Sequence, residues 1–226
     1  MFKSILVSSL IFVSFIHAEI GLEYYTGIQD HYIWRGYDLS SDKPMVTPGI
    51  TLGLGDNIWF DIWTGLNQDY KELDLTAAYY LEPNDNFGAD LGLVVYTYPG
   101  MDGAEASYEP FITIYSYSLP AEPQLLVGYD LTLETYYIEL AASKAILEDA
   151  FPINLQASAG IYGWEGYAGI SNLQFAVAKD FEVIGLGVTP SIAYHFIPQG
   201  FRDEDMTAAP SGLVFEINIS AGGSEE

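Results

Sequence analysis

The sequence predicts an all-β protein, an antiparallel transmembrane β-barrel of about twelve strands in a bacterial outer membrane. Three observations favour this fold. Apolar and polar residues alternate along much of the chain, and short connections alternate with longer ones. Half of all residues are apolar, yet after the N-terminal segment no apolar stretch is long enough for a membrane-spanning helix. Only a closed barrel lets strands cross lipid with every backbone group hydrogen-bonded.

Residues 1–18 have the layout of a secretory signal peptide. Lys3 gives a positive charge, an uncharged apolar run extends over residues 5–16, and Ala18 is a small residue at the end of the segment. The run is short for a membrane span. We therefore expect a cleaved signal peptide followed by one barrel domain at 19–226. A buried N-terminal helix is the alternative.

The composition limits the partners of the chain. It carries 31 acidic and 7 basic residues, with a formal net charge of −24, so we expect no nucleic-acid partner, because phosphate binding needs clustered Lys and Arg. It has no cysteine, so packing, backbone hydrogen bonds or a membrane must stabilise the exported chain. The lipid bilayer and the outer-membrane assembly machinery are the expected partners.

Alternation predicts each strand in turn. On the run that begins at Lys71, for example, Leu73 and Leu75 alternate with Glu72 and Asp74. The apolar face would meet lipid in a barrel and a buried core in a soluble sandwich, and the period alone does not separate the two. The predicted strands begin near Ile20, Val46, Ile58, Lys71, Phe87, Ser107, Gln124, Thr135, Ile153, Asn172, Leu186 and Gly212.

The connections favour the barrel over the sandwich. Outer-membrane barrels have short periplasmic turns and longer external loops, and every second connection here is tight. Two connections, at 67–70 and 132–134, are shorter than this rule expects. The tight connections are 55–57, 83–86, 119–123, 149–152 and 181–185, and the longer ones are 36–45, 99–106, 162–171 and 197–211.

Four segments of the sequence resemble the TorF-like porin family. They are Tyr32–Gly36, Val95–Gly100, Thr135–Glu139 and Ala178–Phe181, in that order along the chain. The resemblance implies a pore-like outer-membrane barrel and no particular solute. Such barrels usually end on an aromatic residue that the assembly machinery recognises, whereas Phe215 is the last aromatic residue of this chain. A short tail after the last strand, or a different mode of recognition, would explain this departure.

Ionisable residues on the polar face indicate a water-filled lumen, because charges at membrane depth are costly unless they face water or one another. Acids outnumber bases there, so the local potential would favour cations. A solvated face without selectivity is the alternative. The predicted pore-lining residues are Glu23, His31, Arg35, Asp61, Glu72, Asp74, Asp90, Glu139, His195 and Glu216.

Arg35 is the most informative base. A guanidinium can bridge several carboxylates, as a structural clip or as a constriction of the pore, and we favour the clip. A second set of residues, aromatic and near strand ends that face the long loops, predicts an interfacial girdle; sugar stacking is the alternative. This set is Tyr32, Trp34, Tyr98, Tyr108, Tyr162 and Trp164.

The sequence gives little support to catalysis. His195 and Ser191 share one face of a strand but lie about 13 Å apart, which is too far for a direct hydrogen bond. One of the three histidines, His17, belongs to the signal segment, so no zinc cluster is expected. There is no phosphate-binding glycine motif. We therefore expect neither an enzyme nor a bound cofactor or metal.

The leading hypothesis is an outer-membrane porin that passes small polar solutes or ions with a preference for cations. One alternative is a non-conducting structural or adhesion barrel, because the interior of a barrel of this size is narrow enough for side chains to fill. Four tyrosines predicted to point inward, Tyr25, Tyr80, Tyr96 and Tyr137, could fill it. The other alternative is a soluble periplasmic β-sandwich that binds a ligand.

Overall fold

The structure, a computed structural model, describes residues 20–41, 43–101, 103–147, 151–199, 201 and 209–222. The predicted signal peptide at 1–18 lies outside these ranges. Within them the regular secondary structure is β, and no helix has the length and apolarity to span a bilayer.

Among the described residues, twelve long strands form the barrel, and three short strands, β2, β3 and β13, lie outside its ring. The barrel strands are β1 (Ile20–Gln29), β4 (Met45–Leu54), β5 (Ile58–Leu66), β6 (Lys71–Asn84), β7 (Phe87–Thr97), β8 (Ser107–Ser116), β9 (Gln124–Asp130), β10 (Thr135–Ile146), β11 (Ile153–Trp164), β12 (Tyr167–Ala178), β14 (Leu186–Phe196) and β15 (Gly212–Gly222). The short strands are β2 (Ile33–Trp34), β3 (Tyr37–Asp38) and β13 (Phe181–Val183).

Antiparallel pairing closes the sheet into a ring. Each barrel strand pairs with the next along the chain, β12 pairs with β14, and the first and last strands, β1 and β15, pair with each other from Glu23 opposite Gly222 to Gln29 opposite Glu216. Closure removes the edges of the sheet, which is the condition for strands to cross lipid. The predicted antiparallel barrel of about twelve strands is therefore confirmed.

The outer surface of the barrel carries exposed apolar side chains. Leu75, Leu91 and Ile217 keep 43%, 45% and 46% of their surface exposed, whereas their polar neighbours on each strand turn inward. A soluble sandwich would bury this apolar face between two sheets, but the described barrel strands form a single closed sheet. The sandwich alternative is therefore wrong.

Predicted and observed strand starts agree except at two strands. The strand β4 begins at Met45 rather than Val46, and β12 begins at Tyr167 rather than Asn172. A bulge explains the second difference, because Gly160 pairs with Asn172 and the next residue pairs with Ile170, which leaves Ser171 unpaired. The extra residue breaks the period of two, so the predicted long loop at 162–171 is wrong and a tight turn joins β11 to β12.

The first strand ends before the predicted connection at 36–45 begins. It ends at Gln29, and a small hairpin of β2 and β3 follows, with Trp34 opposite Tyr37. Its two turn residues, Arg35 and Gly36, have φ of 52° and 97°, as a tight two-residue hairpin turn requires. Arg35, which was predicted to line the pore, occupies this hairpin turn, and His31 lies in the segment that leads to the hairpin.

Candidate functional site

The lumen of the barrel is the candidate site, and its two ends differ. We call the end where β1 stops and β4 starts the loop end, and the opposite end, where β4 stops, the turn end. Inward-facing side chains of the strands form the wall between them. The β2–β3 hairpin, residues 33–38, which we call the plug hairpin, packs inside the lumen at the loop end.

Five carboxylates on four neighbouring strands form an acidic wall along one side of the lumen. Four of them, Asp61, Glu72, Asp74 and Asp90, were predicted to line the pore, and the fifth is Glu109 on β8. Glu72, Asp90 and Glu109 expose only 2%, 6% and 2% of their surface. The placement follows from the strand period of two, since each carboxylate takes the parity opposite to the lipid-facing residues.

Hydrogen bonds fix two of these carboxylates in place. Asp61 accepts bonds from the Tyr25 hydroxyl at 3.0 and 2.9 Å and from Thr51 at 2.7 Å. Asp90 accepts bonds from the Trp59 indole at 3.0 Å and from the Tyr115 hydroxyl at 2.6 Å. Neutral donors stabilise the ionised form of a carboxylate without cancelling its charge. Asp61 and Asp90 are therefore members of the acidic wall whose carboxylates are held in place by neutral donors.

Arg35 projects from the plug hairpin to the acidic wall. Its guanidinium donates from Nη1 to Glu109 Oε2 at 2.5 Å and from Nη2 to Oε1 at 2.6 Å, with 8% and 3% of the two side chains exposed. The rings of Trp34 and Tyr137 lie 4.5 and 4.4 Å from the guanidinium carbon. The bidentate ion pair and the two aromatic rings fix the position of the Arg35 guanidinium against the acidic wall.

An aromatic cluster fills the lumen around the plug hairpin. Tyr37 and Phe201 expose 0% and 1% of their surface, with ring centroids 4.9 Å apart. Tyr137, Tyr162, Ile197 and Ala209 complete the buried cluster. We call the hairpin together with this cluster the plug. Side chains therefore occupy the loop end of the lumen.

Gly36 allows the plug hairpin to pack closely against Ser171 of β12 and against Phe201. A Cβ at this position would lie 2.6 Å from the Ser171 carbonyl oxygen and 2.9 Å from the Phe201 ring. The carbonyl of Gly36 also accepts a bond from the Ala209 backbone at 2.8 Å. Glycine is required here both by the close approach and by the positive φ.

Three cavities continue from below the plug to the turn end. The mid-lumen cavity, of about 360 Å³, extends from Trp63 on β5 to Gln156 and Gln174 on β11 and β12. A cavity of about 240 Å³ shares these two glutamines and is also lined by Glu139. The third, of about 560 Å³, lies among the turns of the turn end and shares Gln156 with both. The free volume of the lumen thus lies on the turn side of the plug.

The other predicted pore-lining residues lie at different depths. His31, His195 and Glu216 line the mid-lumen cavity. Glu139, whose carboxylate accepts a bond from the Tyr137 hydroxyl at 2.8 Å, lines the cavity below. Glu23 takes the inward parity of β1 but is exposed near the turn end. The structure thus brings three of these side chains together and separates the other two.

Two tyrosines lie beside Glu72 at the loop end. Tyr70 and Tyr98 pack edge to face with ring centroids 6.3 Å apart. Burial raises the pKa of both hydroxyls, and the negative charge of Glu72 raises the pKa further. Both side chains are therefore neutral hydrogen-bond donors at physiological pH.

The structure corrects the predicted interfacial girdle. Tyr108 on β8 is exposed on the outer surface at 46%. Tyr162 is 3% exposed inside the plug, and Trp34 packs on it with centroids 6.3 Å apart.

The other three aromatic residues of the set also lie away from the outer surface. Tyr32 lines the mid-lumen cavity, and Trp164 stacks on Tyr167 next to the plug. The sixth, Tyr98, pairs with Tyr70 as described above. Proximity to a strand end did not reveal the direction of these side chains, because several belong to loops that fold inward.

Glu109 and the plug hairpin were not among the features predicted from the sequence. The alternation of β8 carried the signal for Glu109, since Ser107, Glu109 and Thr113 share the inward parity. Tyr37 and Phe201 carried no local signal, because their contact joins residues far apart in the chain. Among the described residues, no cluster of three His, Cys, Asp or Glu side chains has an arrangement that could hold a metal ion.

The comparison with protein families identifies the chain. Residues 18–176 match the family model described as "Bacterial protein of unknown function (Gcw_chp)". The match extends over more than half of the sequence. The chain belongs to the Gcw_chp family. The family model does not carry the TorF-like name, so that finer resemblance stays a prediction. No curated protein matches the sequence.

Solved porin structures share the fold of this Gcw_chp chain. A KdgM porin, solved alone and in complex with disordered oligogalacturonate, is similar with a TM-score of 0.59 and 9% identity, over 91% of this chain and 99% of that one. A NanC porin is similar with a TM-score of 0.56 and 9% identity, over 88% and 98% of the two chains. At this identity the likeness shows the barrel fold alone.

Proposed function

We propose that the protein is an outer-membrane porin that passes small polar solutes and ions and prefers cations. The acidic wall carries this proposal, because it places five carboxylates inside a closed barrel whose outer surface is apolar. Arg35 reaches the wall but is paired with Glu109, so it offsets one charge only. Export through the segment at 1–18, folding by the outer-membrane assembly machinery and kinship with the TorF-like porins belong to the same proposal.

The preference for cations follows from where the charges lie. Carboxylates inside a narrow lumen interact with a passing ion more strongly than the same groups on an open surface, because bulk water and salt screen them less. The KdgM porin was solved with oligogalacturonate, an anionic oligomer. A similar polyanion in this lumen would meet carboxylates, so the likeness of fold does not extend to this class of solute.

The plug supports a second candidate, a non-conducting barrel with a structural role. Tyr37, Phe201 and Tyr162 pack in the loop end of the lumen, where a solute would have to enter from outside. A porin with this plug conducts only through gaps beside the hairpin or when the hairpin moves. A structural barrel needs neither, and its plug would serve to fill the interior.

Planar-bilayer recording of the purified, refolded protein separates these candidates. The porin proposal expects single-channel steps in potassium chloride and a reversal potential, under a salt gradient, that reports cation preference. Absence of conductance from protein shown to be folded would favour the structural barrel. Conductance with anion preference would remove the role of the acidic wall. We propose no enzymatic activity.

A further inference from the structure

The mid-lumen cavity combines features that the passage of ions does not require. It lies directly beneath the plug, spans the lumen, and has a volume of about 360 Å³, within the size range of small-molecule sites. One side presents the rings of Tyr25, Tyr32 and Trp63, which we call the aromatic wall. The opposite side presents the amides of Gln156 and Gln174, which we call the amide wall.

The aromatic wall is held in a fixed arrangement. The rings of Tyr32 and Trp63 lie 5.4 Å apart, inclined by 33°, so their faces are not parallel. Trp63 covers Gly65, where a Cβ would lie 2.7 Å from Cη2, and Tyr25 covers Gly49, where a Cβ would lie 2.2 Å from Cζ. The two glycines leave room for rings that would otherwise be displaced into the cavity. These side chains therefore need little reorganisation to receive a ligand.

The lining of the cavity includes an acidic side chain. Glu216 lines it, and no lysine or arginine is found among its described lining residues. The Tyr25 hydroxyl donates to Asp61, so the acidic wall adds its potential from behind the aromatic wall. In a lumen of low dielectric constant this arrangement favours a positively charged occupant.

The residues that line the cavity suit an organic ammonium ion better than a small inorganic cation. A small inorganic cation needs several oxygen ligands that converge at short distance, and the described residues contain no cluster of three carboxylates or histidines placed for this. An organic ammonium ion is attracted by aromatic faces and by a nearby carboxylate. The amides of Gln156 and Gln174 can bond hydroxyl or carbonyl groups of the same molecule, since each has both donors and acceptors.

We propose that the mid-lumen cavity is a binding site for small organic ammonium ions that carry a hydrogen-bonding group, with Trp63, Tyr32 and Glu216 holding the cationic end and the two glutamines the polar end. This proposal rests on the proposed function in one respect, because the solute must reach the cavity through the lumen. It names the class of solute that this lumen retains, as distinct from ions that pass through it.

Isothermal titration of the purified barrel in detergent tests the proposal, with choline chloride as the probe. The matched probe is the uncharged isostere of choline, in which a tert-butyl group replaces the trimethylammonium group. The titration uses a buffer of about pH 8, which is above the ordinary pKa of histidine. We expect saturable binding of choline and at least about tenfold weaker binding of the isostere, as loss of a partly desolvated cation–π contact implies.

Three variants test the assignment of residues. Trp63→Leu and Glu216→Gln should each weaken choline binding by roughly tenfold. Phe111→Leu is the control, because Phe111 is also an aromatic residue of inward parity, on β8, but its ring lies over Gly92 and it is outside the cavity lining. Its affinity should stay within about a factor of two of the parent. Two measurements establish that each variant is folded. One is the difference in gel migration between unheated and heated samples, and the other is circular dichroism.

The outcomes separate this proposal from the porin proposal. Equal binding of choline and its isostere, or equal loss of affinity in the Trp63 and Phe111 variants, would overturn the ammonium site. Conducting protein that binds no choline would overturn it as well and leave the porin function intact. Binding to a barrel that conducts no ions would support the site and contradict the porin.

Discussion

Arg35 and Glu109, 74 residues apart in the chain, meet in a bidentate ion pair inside the barrel, with both nitrogen–oxygen distances at 2.5–2.6 Å. The pair joins the turn of the plug hairpin to β8 on the opposite side of the loop end. Tyr96 adds a third bond, since its hydroxyl donates to Glu109 Oε1 at 3.1 Å. The buried pair therefore anchors the plug hairpin to the acidic wall.

Replacing Arg35 with alanine should both destabilise the barrel and open the loop end. Glu109 would be left buried without its cation, a change that costs about 3–5 kcal/mol when one partner of a buried pair is removed. Urea unfolding monitored by tryptophan fluorescence measures the stability, and single-channel recording measures the opening. We expect a lower unfolding midpoint and a larger conductance than in the parent.

The double variant Arg35→Met with Glu109→Gln is the control for this prediction. It removes both charges, so it should recover part of the stability while the plug stays without its anchor. An Arg35→Ala protein with parental stability and parental conductance would show that the pair neither anchors the plug nor limits the pore.

Gly36→Ala should displace the plug without removing any charge. The added Cβ meets the Ser171 carbonyl oxygen at 2.6 Å, and alanine is strained at a φ of 97°. The expected cost is about 1–3 kcal/mol, with a rise in conductance in the same direction as for Arg35→Ala. Gly100→Ala serves as the control, because its φ is also positive but nothing lies within 4 Å of its Cβ position. Equal conductance in both variants would contradict a role of the close approach.

The fold was largely readable from the sequence, and the reason is the period of two. Each barrel strand exposes one apolar face to lipid and one polar face to the lumen, so Leu75 and Glu72 could be assigned to opposite sides from their parity alone. The prediction failed where the period itself is interrupted, as at the Ser171 bulge. It also failed past the end of the first strand, since His31 and Arg35 keep the polar parity of β1 but belong to the segment that turns inward.

The site was less readable, because its parts are joined by contacts between distant segments. The carboxylates of the acidic wall could be placed by parity. The contact of Tyr37 with Phe201, and the aromatic wall formed by Tyr32 and Trp63, depend on how the loops fold into the lumen. Local patterns do not contain this information, so an interfacial role was assigned to Tyr32, Trp34 and Tyr162 from their nearness to strand ends.

Two neighbouring residues on β11 test which face meets lipid. Ala159 is exposed on the outer face, while Ser158 faces the lumen and lines the cavity of about 240 Å³. Ala159→Arg should cost roughly 2–4 kcal/mol if it lies near the bilayer midplane, whereas Ser158→Arg should cost much less. The measurement is the free energy of folding into lipid vesicles from urea. Equal costs would mean that the lipid face is not where the structure places it.

The orientation of the barrel can be tested on intact cells. An epitope inserted after Gly103, in the connection between β7 and β8 at the loop end, should bind antibody from outside. The same epitope inserted after Asp85, in the turn between β6 and β7, should bind only after the outer membrane is permeabilised. Short turns face the periplasm in barrels of this class. The reverse labelling pattern would show that the barrel is inverted.

The ion preference should depend on the lumen carboxylates that face free volume. Glu139 and Glu216 line cavities, so their charges act directly on ions in the lumen, where screening by bulk salt is weak. The double variant Glu139→Gln with Glu216→Gln should shift the reversal potential, under a potassium chloride gradient, toward that of an unselective pore. The preference of the parent should also weaken as the salt concentration rises.

The matched control removes two charges from the exposed mouths of the barrel, by Glu105→Gln and Asp85→Asn. Both residues are exposed, Glu105 in the connection between β7 and β8 at the loop end and Asp85 in a turn of the turn end. Bulk electrolyte screens charges at such positions, so their loss should change the reversal potential by much less than the loss of the two lumen glutamates. A larger shift from the control pair would place the origin of selectivity at the mouths. A parent protein that prefers anions would contradict the cation preference proposed for this lumen.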